Sequence, residues 1–132
     1  MRHLLRLVLN ACCLSLLLAA CGENRETKAY LAAARKQLAD ADPARGKAAI
    51  ERYGCVSCHT IPGVGGPGSN VGPPLSRIAA RAYLGGVLPN TPEALVQWLR
   101  DPPAVDPRTA MPNMNIEQAE ARDIAAYLYT LE

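Results

Sequence analysis

The stretch that decides the fold is Cys55-Val56-Ser57-Cys58-His59, directly after Gly54. Two thiols stand three positions apart and an imidazole follows at once. This is C-x-x-C-H, the pattern that attaches a c-type haem. The spacing suits the chemistry. Two thiols add across the two vinyl groups of one porphyrin, and the histidine after the second thiol is delivered to the iron as proximal ligand. Competing readings of the same residues are weaker. A redox-active dithiol would follow a βαβ pattern, and none precedes it. A structural zinc site needs four ligands, and the chain beyond its first segment offers no further histidine or free thiol. A plain disulfide would leave His59 without a role.

Working outward, "ARGKAAIERYG" (44–54) reads as a helix that Gly54 ends, with Ala49, Ile50 and Tyr53 on one side. It forms a platform that stops at the first cysteine. The sequence after His59, "TIPGVGGPGSNVGPPL" (60–75), is too rich in glycine and proline for a regular element. A short helix is predicted from Leu75 to Tyr83, ended by Gly85 and Gly86. "NTPEALVQWLRDPP" (90–103) is a clearer helix. Thr91 suits the N-cap and Pro92 the first helical position, and Pro102 and Pro103 stop it. Ala94, Leu95, Trp98 and Leu99 share a face. "NIEQAEARDIAAYLYTLE" (115–132) is the strongest helix, with Asn115 as cap and Gln118 in capping-box position. Its apolar stripe is Ala121, Ile124, Ala125, Leu128 and Leu131. No repeat and no convincing strand is present. The class is all-α: four to five helices around one covalently bound haem, with long Gly/Pro-rich loops.

Composition agrees. The 132 residues are 49% hydrophobic, yet phenylalanine is absent and aromatics reach only 5%. A large apolar disc at the centre would make up for the missing bulk. The formal charge of +2 includes Arg2 and Arg6 of the first segment; without them, basic and acidic residues are equal in number. No basic run points to nucleic acid.

The first segment, "MRHLLRLVLNACCLSLLLAAC" (1–21), places basic residues before a leucine-rich stretch and then small residues, the order of a secretory signal. The apolar stretch, interrupted by Asn10 and Ser15, is short for a membrane span; an uncleaved anchor is the alternative. Leu18-Ala19-Ala20-Cys21 resembles the bacterial lipobox, in which the cysteine is lipidated. Simple cleavage after Ala20, with Cys21 incidental, is the plainer alternative. The expected organisation is a lipoprotein signal at 1–20, a lipidated N-terminus and linker at 21–42, and a haem domain at 43–132. Within the linker, "ETKAYLAAARKQLADAD" (26–42) reads as a spacer helix or, alternatively, a disordered tether.

His59 is the only histidine after the signal, so a bis-histidine haem within one chain is excluded. The other face of the iron is open or takes Met, Lys or a less common donor. "TAMPNM" (109–114) places Met111 and Met114 in a loop with no helical or strand period, which makes them the leading candidates.

Four ordered pieces together resemble the class I cytochromes c: "GKAAIERYGCVSCH" (46–59), "VGPPLSRIAAR" (71–81), "LVQWLRDP" (95–102) and "AMPNMNIEQAEARDIAAYLYTL" (110–131). The resemblance covers about Ala44 to Glu132. "GGVLPNTPEALVQWLRDP" (85–102) looks most like the cytochrome c domains associated with haem–copper oxidases. The resemblance implies that Cys55 and Cys58 hold haem c and that His59 ligates iron. The Pro73 carbonyl would accept from the other nitrogen of His59. Arg81 would lie near a haem propionate and Trp98 would face the haem. Gly46 would let the first helix of the domain cross the last near Tyr127. The family's loop length favours Met111 as the sulfur ligand, with Met114 packing at the haem edge or in the core. Of the lysines that ring the haem edge in mitochondrial relatives, this domain keeps only Lys47. Partner docking would therefore rely more on an apolar rim, for which Ile61, Val64 and Pro67 are candidates.

His/Met ligation closes both axial positions and raises the potential relative to a second nitrogen donor. The expected function is a membrane-anchored single-electron carrier, not an enzyme, on the periplasmic side of a bacterial membrane. Its partners would be a quinol-oxidising donor and a terminal haem–copper oxidase or a reductase. The alternatives are a haem relay subunit within such a complex, and a ligand-binding or peroxidase-like protein. The last would want a distal acid or base, and no second histidine exists to supply it.

Overall fold

A computed structural model describes residues 25–69 and 71–131. The signal, Cys21 and the lipobox expectation lie outside the described residues. Five α-helices appear among them, in order α1 (Arg25–Gln37), α2 (Pro43–Arg52), α3 (Pro92–Arg100), α4 (Pro102–Val105) and α5 (Gln118–Leu128). Single 3-10 turns occur at Cys55–Ser57 and Ile78–Ala80. The chain from Leu31 onward forms one compact unit, and Arg25 to Tyr30 belong to another.

Three of the four helices predicted in the haem domain form, and their capping chemistry explains most boundaries. Asp42 caps α2, its Oδ1 accepting from the Ala44 and Arg45 amides at 2.7 and 3.3 Å, with Pro43 at the first helical position. Gly54 then adopts φ +66°, which turns the chain into the cysteines. Thr91 caps α3 through the Ala94 amide at 3.2 Å. Pro102 does more than stop α3. Asp101 caps a new turn through the Ala104 amide at 3.3 Å, and Pro102 itself is fully buried.

Three local expectations change. The helix predicted at Leu75–Tyr83 is reduced to the turn Ile78–Ala80. Arg77 stands at φ +55° and Arg81 is extended, so no helical run can pass through them. A small antiparallel hairpin follows, β1 (Tyr83–Leu84) and β2 (Leu88–Pro89), with Leu84 opposite Leu88. Asn115 does not cap the last helix. It takes φ +53°, its amide bonding Asn113 Oδ1 at 2.7 Å, and Glu117 precedes the first helical residue without a side-chain cap.

The core is built where α2 crosses α5. Ala49, Ile50, Ala121, Ile124, Ala125, Leu128 and Tyr129 are all buried there. At the crossing, a Cβ on Gly46 would stand 1.9 Å from the Asp123 carbonyl oxygen and 2.9 Å from the Ile124 nitrogen. The contact therefore falls about one turn earlier on α5 than Tyr127, where the resemblance put it. Arg45 reinforces it, donating from Nε and Nη2 to Asp123 at 2.7 and 3.0 Å, while the Asp42 amide donates to Asp123 Oδ1 at 2.7 Å. Arg45 holds the Asp123 carboxyl below the usual carboxylate range.

The stretch expected to act as a spacer is helical as far as Gln37, and its second half is packed into the unit that begins at Leu31. Leu31, Ala34 and Leu38 are buried at 5, 2 and 3% exposure. Arg122 of α5 donates to the Gln37 carbonyl at 2.8 Å and pairs with Asp40. Apolar side chains at helical spacing on this helix thus find partners that the local sequence does not name.

Candidate haem site

The 3-10 turn Cys55–Ser57 presents both thiols, each half-buried and free of a disulfide. Burial pushes the Cys55 thiol up from its ordinary value. The turn is closed by the Cys58 and His59 amides, which both donate to the Cys55 carbonyl, at 3.2 and 2.9 Å. This places His59 on the exit from the turn, with its ring set by what comes next in space.

That setting comes from residues 72–75. His59 Nδ1 lies 2.7 Å from the Pro73 carbonyl oxygen. A carbonyl can only accept, so Nδ1 carries a proton, and the neutral imidazole in this tautomer presents its lone pair at Nε2. The loop is pinned on both sides of Pro73. The Gly72 amide donates to the Cys58 carbonyl at 2.7 Å, and the Leu75 amide to the Thr60 carbonyl at 2.8 Å. Gly72 passes so close that an added Cβ would sit 2.4 Å from His59 Cε1. The imidazole is therefore clamped against main chain with the correct tautomer for metal binding.

The donor set fits a haem iron. Met111 is half-buried and packed on the core, together with the partly covered Cys55, Val56, Val64, Leu75 and Leu88. Its amide donates to Thr109 Oγ1 at 3.2 Å, which shapes the turn that carries it. Met114 is 36% exposed, so of its two expected places it does not lie in the core. Trp98 is half-exposed, while Ala94, Leu95, Val96 and Leu99 on the same helix are buried. Its ring lies against Gly85 of the hairpin, where a Cβ would approach to 2.7 Å. Among the described residues no group of three or more His, Cys, Asp and Glu side chains could hold a metal ion. A zinc cluster at Cys55 and Cys58 therefore has no further ligands there.

These residues match a family. The cytochrome c family model covers residues 43–132. The chain belongs to the cytochrome c family. It is also similar to cytochrome c oxidase subunit 2 of Alkalihalophilus pseudofirmus, 34% identical over 91 residues, which is 67% of this chain. The match spans about a quarter of that relative's length (25%). As a class I cytochrome c, the protein carries haem c bound covalently at Cys55 and Cys58.

Other residues of the cytochrome make contacts of their own in the fold. The Arg81 guanidinium donates to the Pro74 carbonyl and, at 3.0 Å, to the Ser76 carbonyl. In the structure it braces the loop that carries Pro73. Ile61 is 4% exposed and is core rather than rim. Val64 is half-buried, and Pro67 alone of the three lies exposed. Sequence reasoning missed Tyr127 as a support of the site. Its hydroxyl donates to the Pro62 carbonyl at 2.7 Å and fixes the turn two residues beyond Thr60. It also missed Asn90, which reads in sequence as a loop residue between two prolines and is 5% exposed in the fold.

Proposed function

We propose that this cytochrome is a lipid-anchored carrier of single electrons on the periplasmic side of a bacterial membrane. It takes electrons from a quinol-oxidising donor and passes them to a terminal haem–copper oxidase. His59 and Met111 are its axial ligands, and Cys21 is the lipidated residue. The observation that carries this reading is the donor pair: a clamped imidazole with Nε2 available, and one half-buried methionine packed on the same core as Cys55. Iron held by nitrogen and sulfur changes charge by one without exchanging a ligand, which suits electron transfer over substrate chemistry. The named relative, an oxidase subunit, supports the choice of acceptor. Arg2 and Arg6 before the apolar stretch, with Leu-Ala-Ala-Cys ending it, support the anchor. Tethering confines the search for partners to the membrane surface and raises effective concentration.

The ferric visible spectrum of the full-length holoprotein tests the ligands. The weak far-red band of a methionine–iron bond is expected in the parent and in Met114→Ala, and is lost in Met111→Ala. A parent that lacks the band, is high-spin and binds carbon monoxide overturns the carrier reading. For the anchor, Cys21→Ala moves the protein from the membrane to the soluble fraction; unchanged partition refutes lipidation at Cys21. For the acceptor, the reduced protein is oxidised by membranes holding a haem–copper oxidase and not by membranes lacking one.

A further inference from the structure

Asn90 lies between β2 and α3, and its side chain is one of two buried polar or charged side chains among the described residues, Asp123 being the other. Every polar atom of its carboxamide is engaged. Nδ2 donates to the Ile78 carbonyl at 2.8 Å and to the Arg81 carbonyl at 2.8 Å. The Tyr129 hydroxyl donates to Oδ1 at 3.0 Å. The orientation of the amide is unambiguous, because two carbonyls can be met only by the NH2 group. The Asn90 amide also donates to the Ala82 carbonyl at 3.0 Å. One residue therefore takes three successive connections from the segment 78–82 and ties them to the end of α5.

That segment is the far end of the loop that sets His59. Its near end is pinned beside the cysteines, through Gly72 to Cys58 and Leu75 to Thr60. Between the two ends, Arg81 reaches back to the Pro74 and Ser76 carbonyls. Pro73, which accepts from His59, thus sits in a loop held at both ends and cross-braced in the middle. The far anchor is Asn90 and, behind it, Tyr129 of the innermost core, 1% exposed.

We propose that Asn90 is a positioning residue of the haem site: its carboxamide fixes the segment Pro73–Arg81 and thereby the hydrogen bond that orients His59. The inference rests on the reading of His59 as axial ligand. In a merely structural role the carboxamide would support the stability of the whole domain and leave His59 no more affected than the rest of the core. The positioning role needs the two N–H donors, because the carbonyls of Ile78 and Arg81 would otherwise be buried unpaired and the segment would move to find partners.

The test is hydrogen exchange of the His59 Nδ1–H by NMR in the reduced, diamagnetic full-length holoprotein. The amides of Ile124 and Ala125 in the core of α5 report global opening in the same sample. Asn90→Asp keeps the shape and the contact from Tyr129 but removes both donors. Exchange at His59 Nδ1–H is expected to rise about tenfold more than at the two α5 amides, the effect of losing one buried hydrogen bond. Tyr129→Phe leaves the donors but frees the carboxamide from α5; the same excess is expected there, smaller in size. This variant decides the matter if Asn90→Asp does not fold. Exchange at His59 that only keeps pace with the α5 amides overturns the positioning role and leaves the ligand reading intact. A parent whose His59 Nδ1–H exchanges at the rate of free imidazole has no held Pro73 bond and overturns the positioning role, whereas a parent in which His59 does not bind iron, seen as an imidazole signal without a haem ring-current shift, overturns the ligand reading.

Discussion

Substituting Gly72 by alanine tests the clamp on His59 directly. The added Cβ would stand 2.4, 2.7 and 2.9 Å from Cε1, Nδ1 and Nε2 of the imidazole. Carbon atoms settle near 3.5–4.0 Å, so the ring or the chain must withdraw by about 1 Å. The chain is not free to do so, because the Gly72 amide is bonded to Cys58 at 2.7 Å and the Leu75 amide to Thr60 at 2.8 Å. If the ring moves, its 2.7 Å bond to Pro73 opens toward about 3.7 Å, past the limit of a hydrogen bond. Overpacking of this kind costs about 1–3 kcal/mol. With His59 as axial ligand, the loss of the bond makes the imidazole a weaker donor. The ferrous form gains relative to the ferric, and the midpoint potential rises. Gly65→Ala is the matched control in the same loop, since its Cβ would meet nothing within 4 Å and its backbone is not left-handed. The assays are guanidinium unfolding of the holoproteins and a redox titration. A Gly72→Ala protein within about 0.5 kcal/mol of Gly65→Ala, with the same potential, would refute the clamp.

Two further outcomes follow from the helix crossing. Gly46→Ala drives a methyl into the Asp123 carbonyl, a contact with backbone that no rotamer relieves. It should lose several kcal/mol despite alanine's better helix propensity of about 1 kcal/mol, and denaturant unfolding that finds it as stable as the parent would refute the crossing geometry. Asp123→Asn weakens the brace from Arg45 and Asp42 by roughly 1–3 kcal/mol at neutral pH. Because Asp123 titrates below the ordinary carboxylate value in the folded state, its contribution is complete above about pH 4. It declines as pH falls through the folded value, so the parent and Asp123→Asn unfolding curves should converge in acid. A gap that widens on acidification would contradict this.

Some of this protein was legible without a fold. The attachment motif is contiguous, and its chemistry requires only that two thiols and an imidazole follow one another on a short arc. Thr91-Pro92 and Pro43 mark helix starts for reasons confined to the neighbouring backbone. The expected acceptor of the His59 proton, Pro73, came from the family resemblance and is met at 2.7 Å. Other features belong to tertiary structure alone. Ile61 in a Gly/Pro-rich loop gives no sign that it is core, because burial depends on what lies across from it. Asn90 in "PNTP" resembles any turn residue, yet its carboxamide joins residues 12 and 9 positions before it to one 39 positions after it. Leu31, Ala34 and Leu38 have the spacing of an amphipathic face, and only packing decides that the face is covered by the domain. The difference is physical. Covalent chemistry and helix caps act between neighbours in the chain, whereas the satisfaction of a buried polar group or an apolar face depends on which distant segments the packed core brings beside it.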